Sequence, residues 1–277
     1  MLKRRYPTMD LGVSRGDSIG AGSAFAMLAG SLRSALGIAA GEAVEARRDK
    51  LEQAVGRLLP GAERTRVMMF LGELISAPYT DEDRPLLRAA RQSPGLMADR
   101  IQEAYVDYAR AVTDAQPMLV VLEDLHWGDA PSVRSFGQAL RELRDQPFVV
   151  VAFARPEVHD LFPRLWTAQG CSEVRLRPLP ARAAELLVRS ALGKDVDAQT
   201  VAALVEQADG NTFYLEELIR AVAEGRAGAL PETVLGMVEA RLAALGAEER
   251  RLLRAASVFG EVCCKGGTIR RRKSNPE

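Results

Sequence analysis

Histidine occurs only at His126 and His159 in this 277-residue chain, and cysteine only at Cys171, Cys263 and Cys264. Two histidines leave little material for a histidine-built metal site. The cysteines exclude a disulfide framework, and the adjacent pair Cys263-Cys264 lacks the C-x-x-C spacing and the neighbouring histidine that zinc requires. They read as buried or incidental thiols. Net charge is also missing: 37 basic and 37 acidic side chains cancel, so no overall field draws the protein toward nucleic acid or an anionic membrane. No apolar run approaches the roughly 20 residues of a membrane span, and the basic start Met1-Leu2-Lys3-Arg4-Arg5-Tyr6-Pro7 has no apolar core behind it. With 47% hydrophobic and 27% charged residues, the expectation is a cytoplasmic globular protein with one large or two ordinary domains.

The first half alternates between strand and helix signals. Asp10–Arg15 is a candidate strand, and Ser23–Leu36 reads as a helix behind an N-cap serine. Helical stretches follow at Glu42–Leu58, Glu63–Ile75 and, after the break at Pro78-Tyr79-Thr80, Asp81–Arg91. Met97–Ala115 is the clearest helix, because Ile101, Ala104, Tyr105, Tyr108, Ala111 and Val112 share one face and form a core stripe. Pro117–Glu123 then reads as a fully buried strand, Pro131–Arg144 as a helix opening on proline, and Pro147–Ala154 as a strand needing cover on both faces. Strand, helix, strand in that order predicts a right-handed parallel crossover. A fourth short strand is expected at Glu173–Leu176.

Beyond Pro180 the pattern is purely helical, with expected helices Ala181–Leu192, Ala198–Ala208, Thr212–Glu224, Pro231–Leu245 and Ala247–Val258. That shift sets a domain boundary near Arg177–Pro180. The end, Cys263–Glu277, loses apolar periodicity and finishes in Arg270-Arg271-Arg272-Lys273-Ser274-Asn275-Pro276-Glu277, which reads as a disordered tail rather than a nucleic-acid patch.

Chemistry concentrates in Met118–Ser132, MLVVLEDLHWGDAPS, where an apolar run ends in two adjacent carboxylates. A strand at Leu119–Leu122 delivers Glu123 and Asp124 to the rim of a parallel sheet, a place suited to Mg²⁺ and an attacking water in a nucleotide-hydrolysing core of the P-loop type. One carboxylate can hold the metal while the next orients the nucleophile. The plain alternative is a buried strand finishing in a solvated acid. The partner motif is absent: no G-x-x-x-x-G-K-[S/T] occurs, and the glycine cluster Gly16-Asp17-Ser18-Ile19-Gly20-Ala21-Gly22-Ser23 contains no lysine. His126 has two open readings, as a polar residue orienting a loop or as a contact to nucleotide or carboxylate. Trp127 reads as packed rather than stacked on a base.

Four blocks in order resemble the AAA+-related ATPase modules of the STAND class, signal-transduction ATPases of large bacterial regulators and of kinase- or cyclase-linked proteins. Leu122-Glu123-Asp124-Leu125-His126-Trp127-Gly128-Asp129-Ala130-Pro131-Ser132 is similar to their Walker B block, and Ala154-Arg155-Pro156-Glu157 to the strand end that carries a sensor arginine. Gly210-Asn211-Thr212-Phe213-Tyr214-Leu215-Glu216-Glu217-Leu218 resembles the helical-lid motif, and Leu252-Leu253-Arg254-Ala255-Ala256-Ser257-Val258-Phe259-Gly260 the opening of a winged-helix region. The resemblance spans about Asp10 to Val262.

It implies an α/β fold: a partial P-loop NTPase-type parallel sheet over residues 1–178, an all-α lid over 179–245, and the start of a winged-helix region with a basic tail over 246–277. Transferred by position, Glu123 becomes the Mg²⁺-side acid, Asp124 the water-polarising acid, Arg155 the sensor, and Gly210 with Asn211 the lid's nucleotide contact. Arg155 has a rival reading as partner of Glu157 or Asp160, and Gly210-Asn211 as an ordinary helix stop and N-cap. Thr212 stands where these modules usually carry proline.

In the family a first strand, the phosphate loop and its helix precede the segment that Asp10–Ser18 resembles, and that strand lies mid-sheet. A truncated or frame-shifted product is the expectation. It would be an ATPase switch whose intact form binds and hydrolyses ATP with Mg²⁺, while this chain binds ATP poorly or is inactive. Its partners would be the missing domains of a multidomain regulator or other proteins. The competing reading is a non-enzymatic interaction module using the helical half Pro180–Val258. DNA binding has little support, because no complete helix-turn-helix precedes the tail.

Overall fold

The computed structural model of the chain describes residues 5–6, 8–17, 23–225, 236, 239, 242 and 245–257. They form an α/β structure that divides into two compact units, Met1–Ser172 and Glu173–Glu277. In the first unit three strands, β1 (Asp10–Arg15), β2 (Met118–Glu123) and β3 (Phe148–Ala152), make an all-parallel sheet in the order β1-β2-β3. The register pairs Leu11 with Leu119 and Val13 with Val121, and on the other side Leu119 with Val149 and Val121 with Val151.

Six helices belong to the regular part of this unit before β3: α1 (Ala26–Ala35), α2 (Val44–Leu58), α3 (Gly61–Leu74), α4 (Pro85–Arg91), α5 (Pro94–Ala115) and α6 (Ala130–Glu142). A short α7 (Val158–Leu161) follows the sheet. In α5, Pro94 opens the helix, Ser93 Oγ accepts the Leu96 N–H at 3.4 Å, and Ile101, Ala104, Tyr105, Tyr108 and Val112 are buried as their spacing requires. Ala111 packs at the margin of the same core. Tyr105 meets Phe136 of α6 edge to face at 5.8 Å between ring centroids. Helix α1 lies close on β1 through small residues on both sides: a Cβ on Gly12 would stand 2.9 Å from the Ser31 carbonyl oxygen, and one on Gly30 2.4 Å from Ser14 Oγ.

Several helices begin elsewhere than their sequence signals suggest. The first starts at Ala26 behind Phe25, whose φ of 63° is left-handed, and Ser23 does not cap it. Helix α4 starts only at Pro85, since proline both ends the extended Arg84 and favours a first helical position.

The strands also differ from expectation in their burial. On β2, Met118, Val120 and Leu122 are buried while Leu119 and Val121 are half-buried. On β3, which should be covered on both faces, Val149 is 52% exposed and Val151 38%. The helices contacting the strands leave these alternate positions open, so the expectation of a fully buried β2 and a two-sided cover for β3 is corrected.

The second unit is helical. α8 (Ala181–Leu192), α9 (Ala198–Ala208) and α10 (Thr212–Ala223) enclose Ala184, Val188, Val201, Leu204, Ala208, Tyr214, Leu215, Leu218 and Ile219. α11 (Ala247–Ser257) has no buried residue. The fourth strand expected at Glu173–Leu176 does not form: among the described residues this segment has no ladder partner, and Val174 and Leu176 are 81% and 89% exposed. Apolar alternation marks a chain suited to a sheet, but a strand exists only where a neighbour accepts its hydrogen bonds. The expected helix Pro231–Leu245 falls almost wholly outside the described residues, as do Cys263, Cys264 and the basic tail.

Asp197 caps α9, accepting the Thr200 N–H at 2.7 Å, and its bonds with Thr200 hold its carboxyl below the usual aspartate range. A lowered folded value means that the contribution is complete above the unfolded value and is lost as pH falls through the folded one. Hydrogen exchange in the first turn of α9, corrected for the intrinsic rate, should therefore rise with acidification in the natural chain. Asp197→Asn, which keeps a capping oxygen but no titratable group, should remove that rise. An equal acid response in both would contradict the assignment.

Candidate functional site

β2 is the central strand, so its carboxyl end lies between two neighbours, and the chain places charged residues from all three strand ends there. Glu123 follows Leu119 and Val121 on the open face; its side chain is exposed and has no hydrogen-bond or ion-pair partner among the described residues. Asp124 turns out of the strand with φ 51°, a left-handed conformation uncommon for any residue but glycine. Arg15, at the end of β1, donates from Nε to Asp124 Oδ2 at 2.7 Å. Half the Arg15 side chain is exposed, so the pair orients the two groups more than it stabilises the fold.

Gly16 continues the ladder, donating its N–H to the Glu123 carbonyl at 2.8 Å. A Cβ at this position would stand 2.3 Å from the Asp124 carbonyl oxygen. The absence of a side chain is what lets β1 end so close to the acid pair.

The 3₁₀ turn Leu125–Trp127 joins the acid pair to the end of the third strand. Phe153 donates to the Leu122 carbonyl and accepts from the Leu125 N–H, at 2.8 and 2.9 Å. The next link is His126: its Nδ1 accepts the Arg155 N–H at 3.2 Å, which fixes the neutral ring's proton on Nε2. That Nε2 is buried and has no partner. Through the Nδ1 bond, His126 ties the turn after the acid pair to the backbone that follows β3. The Arg155 guanidinium lies 5.7 Å over the Trp127 ring, a cation–π contact, and makes no ion pair with Glu157 or Asp160 among the described residues. Arg15, Glu123, Asp124 and Arg155 thus occupy one rim of the sheet.

Gly210 and Asn211 belong to the second unit. Asn211 Oδ1 accepts the Tyr214 N–H at 3.1 Å, the cap of α10. Gly210 has φ 74°, and its carbonyl accepts the Leu179 N–H at 2.8 Å. A Cβ there would meet Pro178 Cβ at 2.7 Å, so this glycine serves both a left-handed turn and a close approach. These contacts build the helix stop and cap.

Asp129 and Ser132, quoted in the motif but given no role by it, do substantial structural work. Asp129 is 6% exposed; its Oδ1 accepts the N–H groups of Phe25 and Ser132, both at 2.8 Å, and its Oδ2 that of Met27 at 3.2 Å. Ser132 Oγ accepts the Leu28 N–H at 2.9 Å. The unpaired first amides of α1 are thus capped by residues about a hundred positions later, while Asp129 also caps its own helix α6. The Asp-Ala-Pro-Ser spacing signals the local cap; nothing in it signals the distant one.

No family model, no curated protein and no solved structure matches the chain.

The donor set at this rim can be tested against a magnesium–nucleotide site. Mg²⁺ is commonly held by one or two carboxylates together with phosphate oxygens and water. Glu123 is exposed at the rim, whereas Asp124 is already engaged by Arg15. Among the described residues no group of three or more His, Cys, Asp or Glu side chains is placed to hold a metal by itself. The phosphate half, a glycine loop with lysine, does not occur in the sequence. The residues present therefore do not fit bound Mg²⁺·ATP unaided.

Proposed function

We propose that the chain is the acid-bearing part of a STAND-type ATPase switch module with a P-loop NTPase-type core, a helical lid and the start of a winged-helix region. Glu123 is the Mg²⁺-side acid, Asp124 the water-polarising acid, and Arg155 the sensor. The observation carrying this reading is the exposed acid pair at the carboxyl end of the central parallel strand, flanked by an arginine from each neighbouring strand end. Gly210 and Asn211 enter as the lid contact by resemblance alone.

Without a phosphate loop, this chain binds ATP weakly or not at all, because two carboxylates facing a triphosphate repel it and no cradle of backbone amides offsets that repulsion. Calorimetric titration with Mg²⁺·ATP should show no binding by the natural chain and micromolar binding by a version given a phosphate loop at its N-terminus. Asp124→Ala in that version should abolish hydrolysis. Micromolar binding by the natural chain would overturn the half-site reading, and no recovery in the restored version would overturn the ATPase reading.

A second reading, a non-enzymatic protein-interaction module, draws on exposed apolar residues of the helical unit: Leu186 on α8 is 64% exposed and Phe213 on α10 55%. It requires indifference both to ATP and to substitution of Glu123 or Asp124.

A further inference from the structure

Several arginines among the helices of the first unit meet a carboxylate: Arg66 pairs with Asp107, Arg91 with Glu73 and Asp81, Arg100 with Glu103, and Arg110 with Glu142. Arg33, in the last turn of α1, and Arg47, one turn into α2, do not. Both are half-buried, and neither has an ion-pair partner among the described residues. Arg47 Nη1 donates to the Ile75 carbonyl at 3.0 Å, and its Nε is buried without a partner. That carbonyl lies at the end of α3, where the helix dipole offers about half a charge rather than a whole one. The only acid in the turn between α1 and α2, Glu42, is already taken: it accepts from Lys50 Nζ at 2.7 and 2.9 Å and from the Ala39 N–H at 2.8 Å. Lys50 Nζ also donates to the Gly37 carbonyl at 2.7 Å, which holds α2 against the turn that follows α1. Arg33 and Arg47 are thereby near enough to oppose each other; burial first, and the Arg47 charge second, pull the Arg33 pKa down from the usual arginine value. Two half-buried like charges are costly until a charge of the other sign joins them.

We propose that Arg33 and Arg47 form an oxyanion site that takes a phosphate group, free or as a small monoester. Guanidinium forks hold carboxylates and phosphates through parallel pairs of hydrogen bonds. A carboxylate has two coplanar oxygens and fills one fork. A phosphate monoester has three terminal oxygens, which can serve forks from two helices at once, and its charge of about −1.5 to −2 at neutral pH answers two arginines. The site stands apart from the acid pair. Asp129 caps the start of α1 at the Met27 N–H, and Arg33 lies six residues further along, about 9 Å at the rise of an α-helix. Binding there uses neither Glu123 nor a phosphate loop.

Calorimetric titration of the full chain with inorganic phosphate, at constant ionic strength in chloride and without nucleotide or Mg²⁺, should show one site with a Kd of about 1 mM or below. Glycerol phosphate in a second titration separates the sources: tighter binding than the free ion assigns the site to an organic phosphate, equal binding to phosphate itself. Arg33→Gln should weaken binding at least about tenfold. Arg33→Lys keeps the charge and the apolar stem but not the fork, so its affinity should fall between those two. Arg57→Gln, which removes the same charge from an exposed position in the last turn of α2, should leave binding unchanged. Phosphate should also raise the denaturant midpoint of the natural chain above that in chloride, and Arg33→Gln should lose that rise. No phosphate binding by the natural chain, or equal binding by Arg33→Gln, would overturn the proposal. So would binding that survives Arg33→Gln and disappears in Arg155→Gln, since the anion would then sit at the sheet rim. Because no ATP is present, these outcomes are independent of the nucleotide reading.

Discussion

Replacing Asp129 by alanine is expected to lower the unfolding free energy of the first unit by about 4 kcal/mol, a large part of the roughly 5–15 kcal/mol that holds an ordinary domain together. Three buried N–H groups, of Phe25, Met27 and Ser132, would lose their acceptor together. Each unsatisfied donor costs about 1–3 kcal/mol, and the costs overlap because the same loop relaxes for all three. Two helix starts fail at once, α1 from a distance and α6 locally. Asp129→Asn is the informative companion. Its single amide oxygen can keep the Phe25 and Ser132 bonds, while its NH₂ faces the Met27 N–H, so about half the loss should remain. Both tryptophans, Trp127 and Trp166, lie in the first unit, so denaturant unfolding followed by intrinsic fluorescence reports on it alone. A loss below about 1 kcal/mol for the alanine variant would show that water or a shifted loop satisfies those amides.

The same residue shows where sequence reasoning stops. Periodicity locates β1, β2, β3 and the longer helices of both units, though not the four-residue α7, because burial of one face is a local pattern repeated along the chain. It locates Glu123 and Asp124 at a strand end for the same reason. It misplaces the start of α1, because the groups that cap Phe25, Met27 and Leu28 belong to Asp129 and Ser132, and no spacing rule connects positions so far apart. It also reads Glu173–Leu176 as a strand and β3 as doubly covered, since alternating or continuous valines record a preference for neighbours rather than their presence. The rival roles of Arg155 and His126 differ only in which partner lies nearby. Trp127 below the guanidinium and the Arg155 N–H on Nδ1 are tertiary facts.

Gly16→Ala is expected to be the most damaging single change at the sheet rim that alters no charge. The added methyl would stand 2.3 Å from the Asp124 carbonyl oxygen and 3.2 Å from the carbonyl carbons of Asp124 and Trp127. All three are backbone atoms, so no rotamer change relieves the clash, and overpacking of this kind costs about 1–3 kcal/mol. Relief requires β1 to withdraw, breaking the Gly16 N–H bond to Glu123, or the turn Asp124–Trp127 to move. Either response separates Arg15 from Asp124 and shifts Trp127 beneath Arg155. The variant should therefore lose about 2 kcal/mol in denaturant unfolding. It should also change the Trp127 emission of the folded state, which Trp127→Phe can assign by difference. Gly30→Ala gives the contrast: its nearest neighbour is the Ser14 hydroxyl rather than backbone, and Ser14→Ala should relieve it. No second substitution of a side chain should rescue Gly16→Ala, because what it strikes is the peptide chain that positions the acid pair.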